Sequence, residues 1–522
     1  MSDERDERDD TTDTDDAPLP GTPTSLWLAT SESTDYGPLA ERVAADVAVV
    51  GGGIVGLTTA TLLAEAGRDV ALLERDRIVA GVTGKSTAKV TAQHGLVYAD
   101  LLGRFGRPTA ARYAAANAAA VERVAERAER LGVDAGLRRL PAYTYTRDPE
   151  RKAEFRAEVR VAESLGLPAS YVEGVPGVDG AVAGVRFDDQ AMFHPRRYLL
   201  ALAARFLEAG GHLYEDTRAV DLEDGRRPRV TTDHGRVVAD HVVVATHFPV
   251  FDRAGYFSRL YPKRSYVVAV RASDPPTEGM LYRDGTPYFS ARSAEVDGET
   301  LTLVGGQNHK TGQGGDTKRR YRDLEATARR HFDVEEVVYR WSTQDYVSVD
   351  GLPVVGDLGP TTRNVSTAAG FAGWGMSNGV AAGMMLSDRV LGEENPWIDA
   401  FDPGRFARAA GARDFLSENL DVAGHFLGDW LSKPRKRELR DLAPGQGTVV
   451  REGTLPVAVH RDEAGRLHAH SAVCPHLKCV VDWNPAEASW DCPCHGSRFD
   501  ADGAVIDGPA VSDLPKHSSD GE

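Results

Sequence analysis

The residues best equipped for chemistry lie near the end of this 522-residue chain. They are Cys474-Pro475-His476-Leu477-Lys478-Cys479 and Cys492-Pro493-Cys494-His495-Gly496-Ser497, which together hold all 4 cysteines of the sequence. Each stretch offers one thiolate and one imidazole, Cys474 with His476 and Cys492 with His495, on either side of a short hairpin. Two sulfurs and two ring nitrogens can hold a two-iron cluster, with thiolates on one iron and imidazoles on the other. The same four ligands can also make a structural zinc site. Zinc, however, gives no role to the second cysteine pair or to Gly496-Ser497.

The C-x-H and C-x-x-H motifs with this separation resemble the Rieske family of 2Fe-2S proteins. The resemblance implies that Cys474, His476, Cys492 and His495 are the cluster ligands. It implies a disulfide between Cys479 and Cys494 bracing the two loops; two free thiols are the alternative, since a cytosolic disulfide is unusual. Ser497 matches a serine that hydrogen-bonds a cluster sulfide, and Gly508-Pro509-Ala510 resembles the proline loop that covers the cluster. Phe499 stands where high-potential members carry a tyrosine, so a hydrogen bond that stabilises the reduced cluster is missing and a lower potential is expected.

A second informative stretch lies near residue 50. The apolar run Val47-Ala48-Val49-Val50 leads into Gly51-Gly52-Gly53-Ile54-Val55-Gly56, followed by a helix-forming segment and a second strand, Val70-Ala71-Leu72-Leu73, ending at Glu74. This is a strand–helix–strand unit with an acid about twenty residues past its glycines. Gly51 allows the tight turn, Gly53 lets the backbone approach a pyrophosphate, and Gly56 lets helix and strand pack closely. The helix N-terminus favours phosphate, and Glu74 can hold ribose hydroxyls.

With this turn, three further stretches resemble the D-amino acid oxidase family of FAD-dependent flavoenzymes. They are Gly81-Val82-Thr83-Gly84-Lys85-Ser86-Thr87-Ala88-Lys89, Asp350-Gly351-Leu352-Pro353-Val354-Val355-Gly356, and Gly370-Phe371-Ala372-Gly373-Trp374-Gly375-Met376-Ser377. The resemblance implies FAD held by Gly51, Gly53, Ile54, Val55, Gly56, Glu74 and Arg75. Ser86, Thr87 and Lys89 would run along the flavin, with Val220 near the adenine and Ala245 at a strand end. Gly375, Met376 and Ser377 would set a helix N-terminus near the flavin's pyrimidine edge.

The resulting fold expectation is α/β: a Rossmann-like FAD-binding domain with an interleaved antiparallel β substrate domain, then an all-β Rieske domain. Residues 24–400 form the oxidoreductase. Its nucleotide-binding parts lie at about 40–110, 190–248 and 346–400, and its substrate domain at about 111–189 and 249–345. Residues 109–131 should form a long helix, and 241–246 a strand closing the nucleotide sheet. Residues 401–440 should be a helical linker ending in the basic run Lys433-Pro434-Arg435-Lys436-Arg437, and 441–522 the Rieske domain. Residues 1–23 should be a disordered acidic tail, because residues 3–16 carry nine acids against two arginines.

A formal net charge of −17 excludes nucleic acid as a natural partner. No apolar run is long enough to span a membrane and no export signal is visible, so a cytoplasmic location is expected. The resembling flavoenzymes oxidise amines or amino acids at a C–N bond, which makes a small-molecule amine or amino acid the expected substrate. The acceptor would be a ferredoxin-like carrier, quinone or oxygen. His247, Tyr288 and Arg292 are the candidate catalytic residues, Arg292 as a carboxylate clamp against the alternative of a surface ion pair. His309 lies in the same region, and His94 reads either as a covalent flavin attachment or as a plain hydrogen-bonding histidine. Competing functions are a flavin/Rieske reductase fed by NAD(P)H, which lacks a second glycine-turn unit, a Rieske oxygenase, which lacks a paired-His iron motif, and a redox sensor.

Overall fold

The computed structural model of the chain describes residues 18–285, 287–408 and 436–517. Its first half is organised around the strand Arg42–Val50, whose valines are buried on both faces towards its C-terminal end. A strand buried on both sides pairs in parallel and is covered by helices. It pairs in parallel with Val70–Leu73 on one side and Arg236–Val244 on the other. Arg236–Val244 is therefore an interior strand rather than the closing one. It pairs onward with Val365–Ala369, and the antiparallel strand Val354–Asp357 ends that side of the sheet.

The helices Ile54–Glu65 and Gly375–Leu391 pack together on one face of this sheet. Small residues permit the approach: a Cβ on Gly379 would lie 2.7 Å from Ile54 Cγ2, and one on Gly383 would lie 2.7 Å from Thr58 Cβ. The long helix runs Val97–Leu131, starting well before residue 109, with a break at Gly106 (φ 78°) just before Pro108. It packs against Gly375–Leu391, so the domain boundary expected at residue 111 falls inside one helix that belongs with the nucleotide sheet.

The second sheet has nine strands, in the order Val334–Ser348, Leu260–Ala272, Glu299–Lys310, Phe289–Val296, Met280–Arg283, Arg138–Thr146, Ala183–Met192 and Lys89–Val90, with Ala169–Val172 on a side branch. It is antiparallel except where Met280–Arg283 runs parallel to Arg138–Thr146. Residues 18–23 are part of this fold rather than of a disordered tail. Thr22 N–H donates to Val338 O at 2.9 Å and Thr22 O accepts from Arg340 N–H at 2.9 Å. Residues 1–17 lie outside the described residues, as do 409–435 of the expected helical linker with Lys433, Pro434 and Arg435. The flanks of that linker are short 3-10 helices, Pro403–Arg408 and Lys436–Asp441. Among the described residues no helix is long and apolar enough to cross a membrane.

The C-terminal domain consists of a three-stranded and a four-stranded antiparallel sheet around Trp490, Phe499 and the cysteines. It docks on the rest of the chain through buried charge. Glu487 pairs with Arg264 of the strand Leu260–Ala272 and with its own domain's Arg498, and accepts a hydrogen bond from Ser342. Arg498 also meets Asp491 at 2.9 Å and Asp507 at 3.4 Å. Burial alone would raise the Glu487 and Asp507 carboxyls, but the surrounding guanidinium and ammonium groups hold each down to about 2.

Because these folded-state values lie below the ordinary 4.5 and 3.8, the stabilisation is complete above those values and is lost as pH falls towards about 2. Acid titration followed by thermal melting should show this loss below about pH 4.5. Glu487→Gln leaves the Arg264 charge, 1% exposed, without its counter-ion. It should cost about 3–5 kcal/mol in denaturant unfolding and flatten the acid dependence.

Candidate active site and metal centre

The turn between Arg42–Val50 and Ile54–Glu65 is shaped for close backbone approach. Gly51 has φ 110°, and a Cβ there would sit 2.4 Å from Ala245 O; a Cβ on Gly56 would sit 1.8 Å from Gly51 O. Neither position admits a side chain, so Gly56 serves helix–turn packing and stands behind the ligand surface. In front of the turn lies a cavity of about 1410 Å³, its open mouth included. Gly51, Gly53, Ile54, Val55, Glu74, Arg75, Ala245, His247, Gly375 and Met376 all line it. Glu74 accepts hydrogen bonds from Gly52 N–H at 2.7 Å and Asp76 N–H at 3.0 Å, which hold its carboxylate at the end of the second strand. Burial raises its pKa against those two donors. The glycine cradle, the helix N-terminus and the carboxylate at the strand end fit an FAD whose pyrophosphate lies over the turn.

Other expected contacts lie elsewhere. Val220 is 37% exposed and outside the cavity, whose wall is formed instead by Thr217, Arg218 and Ala219. Ser86, Thr87, Lys89 and Ser377 are also set back from it. Ser86 Oγ accepts from Ala88 N–H at 2.8 Å, while Thr87 packs towards Gly305. Lys89 is buried, with Nζ donating to Leu281 O at 2.7 Å and Ser290 Oγ at 2.6 Å; burial lowers its pKa to about 7. Ser377 Oγ lies 3.0 Å from His94 Nε2.

The His94 ring has both nitrogens engaged, Nδ1 with Tyr113 OH at 2.6 Å and Nε2 with Thr91 O at 2.8 Å and Ser377. Burial lowers its pKa to about 3, so it is a neutral hydrogen-bonding histidine. It stacks on Trp374 at 4.9 Å, which meets Tyr282 at 5.2 Å; Tyr282 stacks on Tyr288 at 5.7 Å. Lys263 Nζ lies 5.9 Å from the Tyr288 ring centre. This aromatic row joins the second sheet to the start of Gly375–Leu391, and Tyr288 is a member of it.

Arg292 is neither a clamp in this row nor a surface residue. It is 2% exposed and donates to Ala88 O at 3.3 Å and Phe193 O at 3.2 Å, with Trp27 stacked 5.1 Å away. Its guanidinium is used to satisfy strand and loop carbonyls. His309 is likewise engaged, with Tyr266 OH at 3.0 Å and Lys310 O at 2.7 Å.

His247 adopts φ 65°, a left-handed conformation uncommon for a non-glycine residue. Its Nε2 lies 3.1 Å from Asp345 Oδ1, and the other Asp345 oxygen accepts from Gly373 N–H. The pair ties the end of Arg236–Val244 to the loop before the helix Gly375–Leu391, and both residues line the cavity.

At the metal centre, Cys474 and Cys492 are buried free thiols and the His476 and His495 rings lie 5.1 Å apart. Cys479 and Cys494 form a disulfide, so they are not free thiols. Three sulfurs, of Cys479, Cys492 and Cys494, crowd within 4.8 Å, but the disulfide removes two of them as ligands. His495 is 2% exposed and its buried Nδ1 has no hydrogen-bond partner in the protein, which fits a nitrogen held for a metal. The Cys474 thiol is held below its ordinary pKa by the neighbouring Cys492 thiol and by donors from His476 N–H, Ser497 and Leu477 N–H. Amides and a hydroxyl aimed at sulfur stabilise thiolate ligands. Ala510 N–H donates to Ser497 Oγ at 3.0 Å, which fastens the Gly508-Pro509-Ala510 loop beside the centre. The donor set and its surroundings fit a 2Fe-2S cluster.

The two sites adjoin. Tyr346 lines the cavity, packing on His247 at 4.9 Å and Phe248 at 5.0 Å. Its hydroxyl lies 3.1 Å from His495 O and 3.0 Å from Gly508 O, and accepts from Gln344 Nε2 at 3.3 Å. Gln344 Nε2 also donates to Gly496 O at 2.8 Å. Phe248 reaches His476 at 6.5 Å, and Phe257 lies 5.6 Å from His495. Sequence reasoning missed Tyr346 and Phe248, which carry no motif; they pack together in the oxidoreductase core and meet the cluster loops only where the C-terminal domain docks.

Cys474→Ser should abolish the visible and paramagnetic signature of the cluster while the disulfide still forms, checked by iron assay and thiol titration. Phe499→Tyr should raise the cluster potential by on the order of 50 mV, the one-electron equivalent of a hydrogen bond of about 1 kcal/mol. A redox titration followed by electron paramagnetic resonance measures it.

Comparison with known proteins agrees with both sites. Residues 46–389 match the family model of FAD dependent oxidoreductases (DAO), and residues 432–518 match that of the Rieske 2Fe-2S domain. The chain is 36% identical over 494 residues to YhfW of Bacillus subtilis (strain 168), described as a Rieske 2Fe-2S iron-sulfur protein, covering 94% of this chain and 97% of that one. Its C-terminal part is 36% identical over 132 residues to the cytochrome b6-f complex iron-sulfur subunit 1 of Nostoc sp. (strain PCC 7120), spanning 24% of this chain and 66% of the subunit. The fold resembles glycine oxidase from Geobacillus kaustophilus, with a TM-score of 0.56 and 24% identity over 70% of this chain and 98% of that one. The chain belongs to the DAO family of FAD-dependent oxidoreductases and carries a C-terminal Rieske 2Fe-2S domain.

Proposed function

We propose that the protein oxidises the C–N bond of an amine or amino acid and passes the electrons, one at a time, to its own Rieske cluster. The observation that carries this reading is Tyr346: its ring forms part of the FAD cavity and its hydroxyl bonds the backbone of the cluster ligand His495 at 3.1 Å. One residue therefore separates the two cofactor sites. FAD, when bound, supplies two-electron oxidation of the substrate, and the cluster carries single electrons. The fold relationship to an enzyme named glycine oxidase supports an amine-type substrate.

The chain's own groups suit that chemistry. The aromatic row Trp374, Tyr282 and Tyr288 offers π-faces to an alkylammonium ion or an apolar side chain. Lys263 beside it can meet a carboxylate. Burial lowers its pKa, and Asp345 and Asp284 work against that shift. The His247–Asp345 pair holds the cavity wall beside Tyr346. On the far side, His476 is half-buried beside Phe257, 37% exposed, and Leu477, 40% exposed. That outward imidazole is where a ferredoxin-like carrier or a quinone would receive electrons; oxygen could instead accept directly at the flavin.

Anaerobic stopped-flow mixing with a panel of amines and amino acids tests the reading, with flavin and cluster absorbance followed separately. Flavin bleaching followed by cluster reduction on the same molecule is expected. Flavin reduction that is never followed by cluster reduction would refute the transfer, and bleaching by NADH alone would favour a reductase. Tyr346→Phe keeps the ring and removes the hydroxyl. It should slow cluster reduction by about tenfold, the rate equivalent of one hydrogen bond, and leave flavin reduction by substrate unchanged.

A further inference from the structure

The cavity in front of the glycine turn is not enclosed by the oxidoreductase domain alone. Val505, Asp507, Gly508, Ala510 and Val511 of the Rieske domain form its remaining wall, facing Gly51, Glu74, Arg75 and Arg218. This segment is fixed by bonds to the residues that frame the nucleotide. Arg75 Nη2 donates to Ile506 O, Arg218 Nη1 pairs with Asp513 Oδ1 at 3.2 Å, and Gly508 O lies 3.0 Å from Tyr346 OH. Asp513 Oδ1 also accepts from Val505 N–H at 3.0 Å, so the Arg218 contact is continuous with the wall.

The same few residues are bound to the cluster loops. Ala510 N–H donates to Ser497 Oγ, Ser497 O accepts from the N–H of the ligand Cys492 at 2.8 Å, and Tyr346 OH touches His495 O. Residues 505–511 are thus held from one side by the nucleotide frame and from the other by the cluster loops. The Cys492 and His495 backbone is at most two hydrogen bonds from the cavity surface.

We propose that residues 505–511 of the Rieske domain are part of the FAD-binding site, so that FAD affinity and cluster occupancy are thermodynamically coupled through this segment. Each cofactor orders a wall that the other also needs. Whichever binds second meets a segment already in place, and the coupling is reciprocal. This inference needs only that FAD and the cluster occupy their sites; it does not depend on electron transfer between them.

The test uses the full-length chain. FAD is removed by mild chaotrope, and rebinding is followed by the loss of free FAD fluorescence, in cluster-loaded protein and in protein made cluster-free by iron depletion. The expected result is FAD binding weaker by about 5- to 150-fold without the cluster, the usual range of coupling between sites. Reciprocally, bound FAD should slow chelator-driven bleaching of the cluster in wild-type protein. Val511→Glu places a carboxylate in the wall and should weaken FAD binding in protein whose cluster retains its paramagnetic resonance spectrum. Equal FAD affinity in loaded and cluster-free wild-type protein would overturn the coupling. Unchanged FAD affinity in Val511→Glu with an intact cluster would overturn the contact.

Discussion

The relation between the two cofactor sites depends on a closed set of buried charges. Arg264 on the second sheet, with Glu487 and Arg498 on the Rieske domain, form a chain that Asp491 and Asp507 complete. Removing ions of this kind from water costs several kcal/mol each, and mutual attraction offsets that only when every group meets its partner. Such a set adds little net stability, but it penalises any other docking pose, because a shift of one residue would strand a guanidinium. The apolar contacts of Phe248 and Phe257 with the cluster histidines would tolerate sliding; the charges do not. The closeness of Tyr346 to His495 therefore follows from an electrostatic constraint located elsewhere in the interface.

Both cofactor sites were legible in the sequence to the extent that they are local. The glycine turn and the cysteine–histidine loops draw their function from backbone geometry and ligands within a few residues, so spacing alone carries it. Side chains whose role depends on a distant partner were not legible. Arg292 has the composition of a carboxylate clamp, yet it faces inward from its strand and meets carbonyls nearly a hundred and two hundred residues away in sequence. The backbone just before Val220 lines the cavity, while the Val220 side chain is 37% exposed. A bulge between Ala219 and Asp221 interrupts the strand pairing, and the cavity wall falls at 217–219. Because strand side chains alternate faces, a local irregularity of this kind decides which residue is presented.

The long helix shows the same limit at the level of domains. Its alanine-rich composition announced a helix, but not that Tyr113 and Asn117 would meet the helix Gly375–Leu391, with Asn117 Nδ2 donating to Asn378 Oδ1 at 3.2 Å. Composition gives the element, and the tertiary partner assigns it to a layer. Phe248 and Tyr346 belong to this class as well: neither carries a motif, and they meet residues of the Rieske domain only where that domain docks.

The two imidazoles of the metal centre acquire unequal surroundings from this arrangement. Burial lowers the pKa of His495 to about 3 and lowers that of His476 as well, which favours the neutral imidazoles that a metal requires. The two are not equivalent, however. His495 is 2% exposed, with its ring against Phe257 and its carbonyl bonded by Tyr346, whereas His476 is half-buried between Phe248 and the exposed Phe257. The two imidazoles differ in exposure, yet the more exposed one, His476, is also the one whose ring meets Phe248 of the cavity wall. That inequality comes from the oxidoreductase domain, which supplies Phe248, Phe257 and Tyr346 around two histidines that their own loops present side by side. In this chain, fusion of the domains therefore does more than bring two cofactors close: it makes one end of the Rieske centre internal.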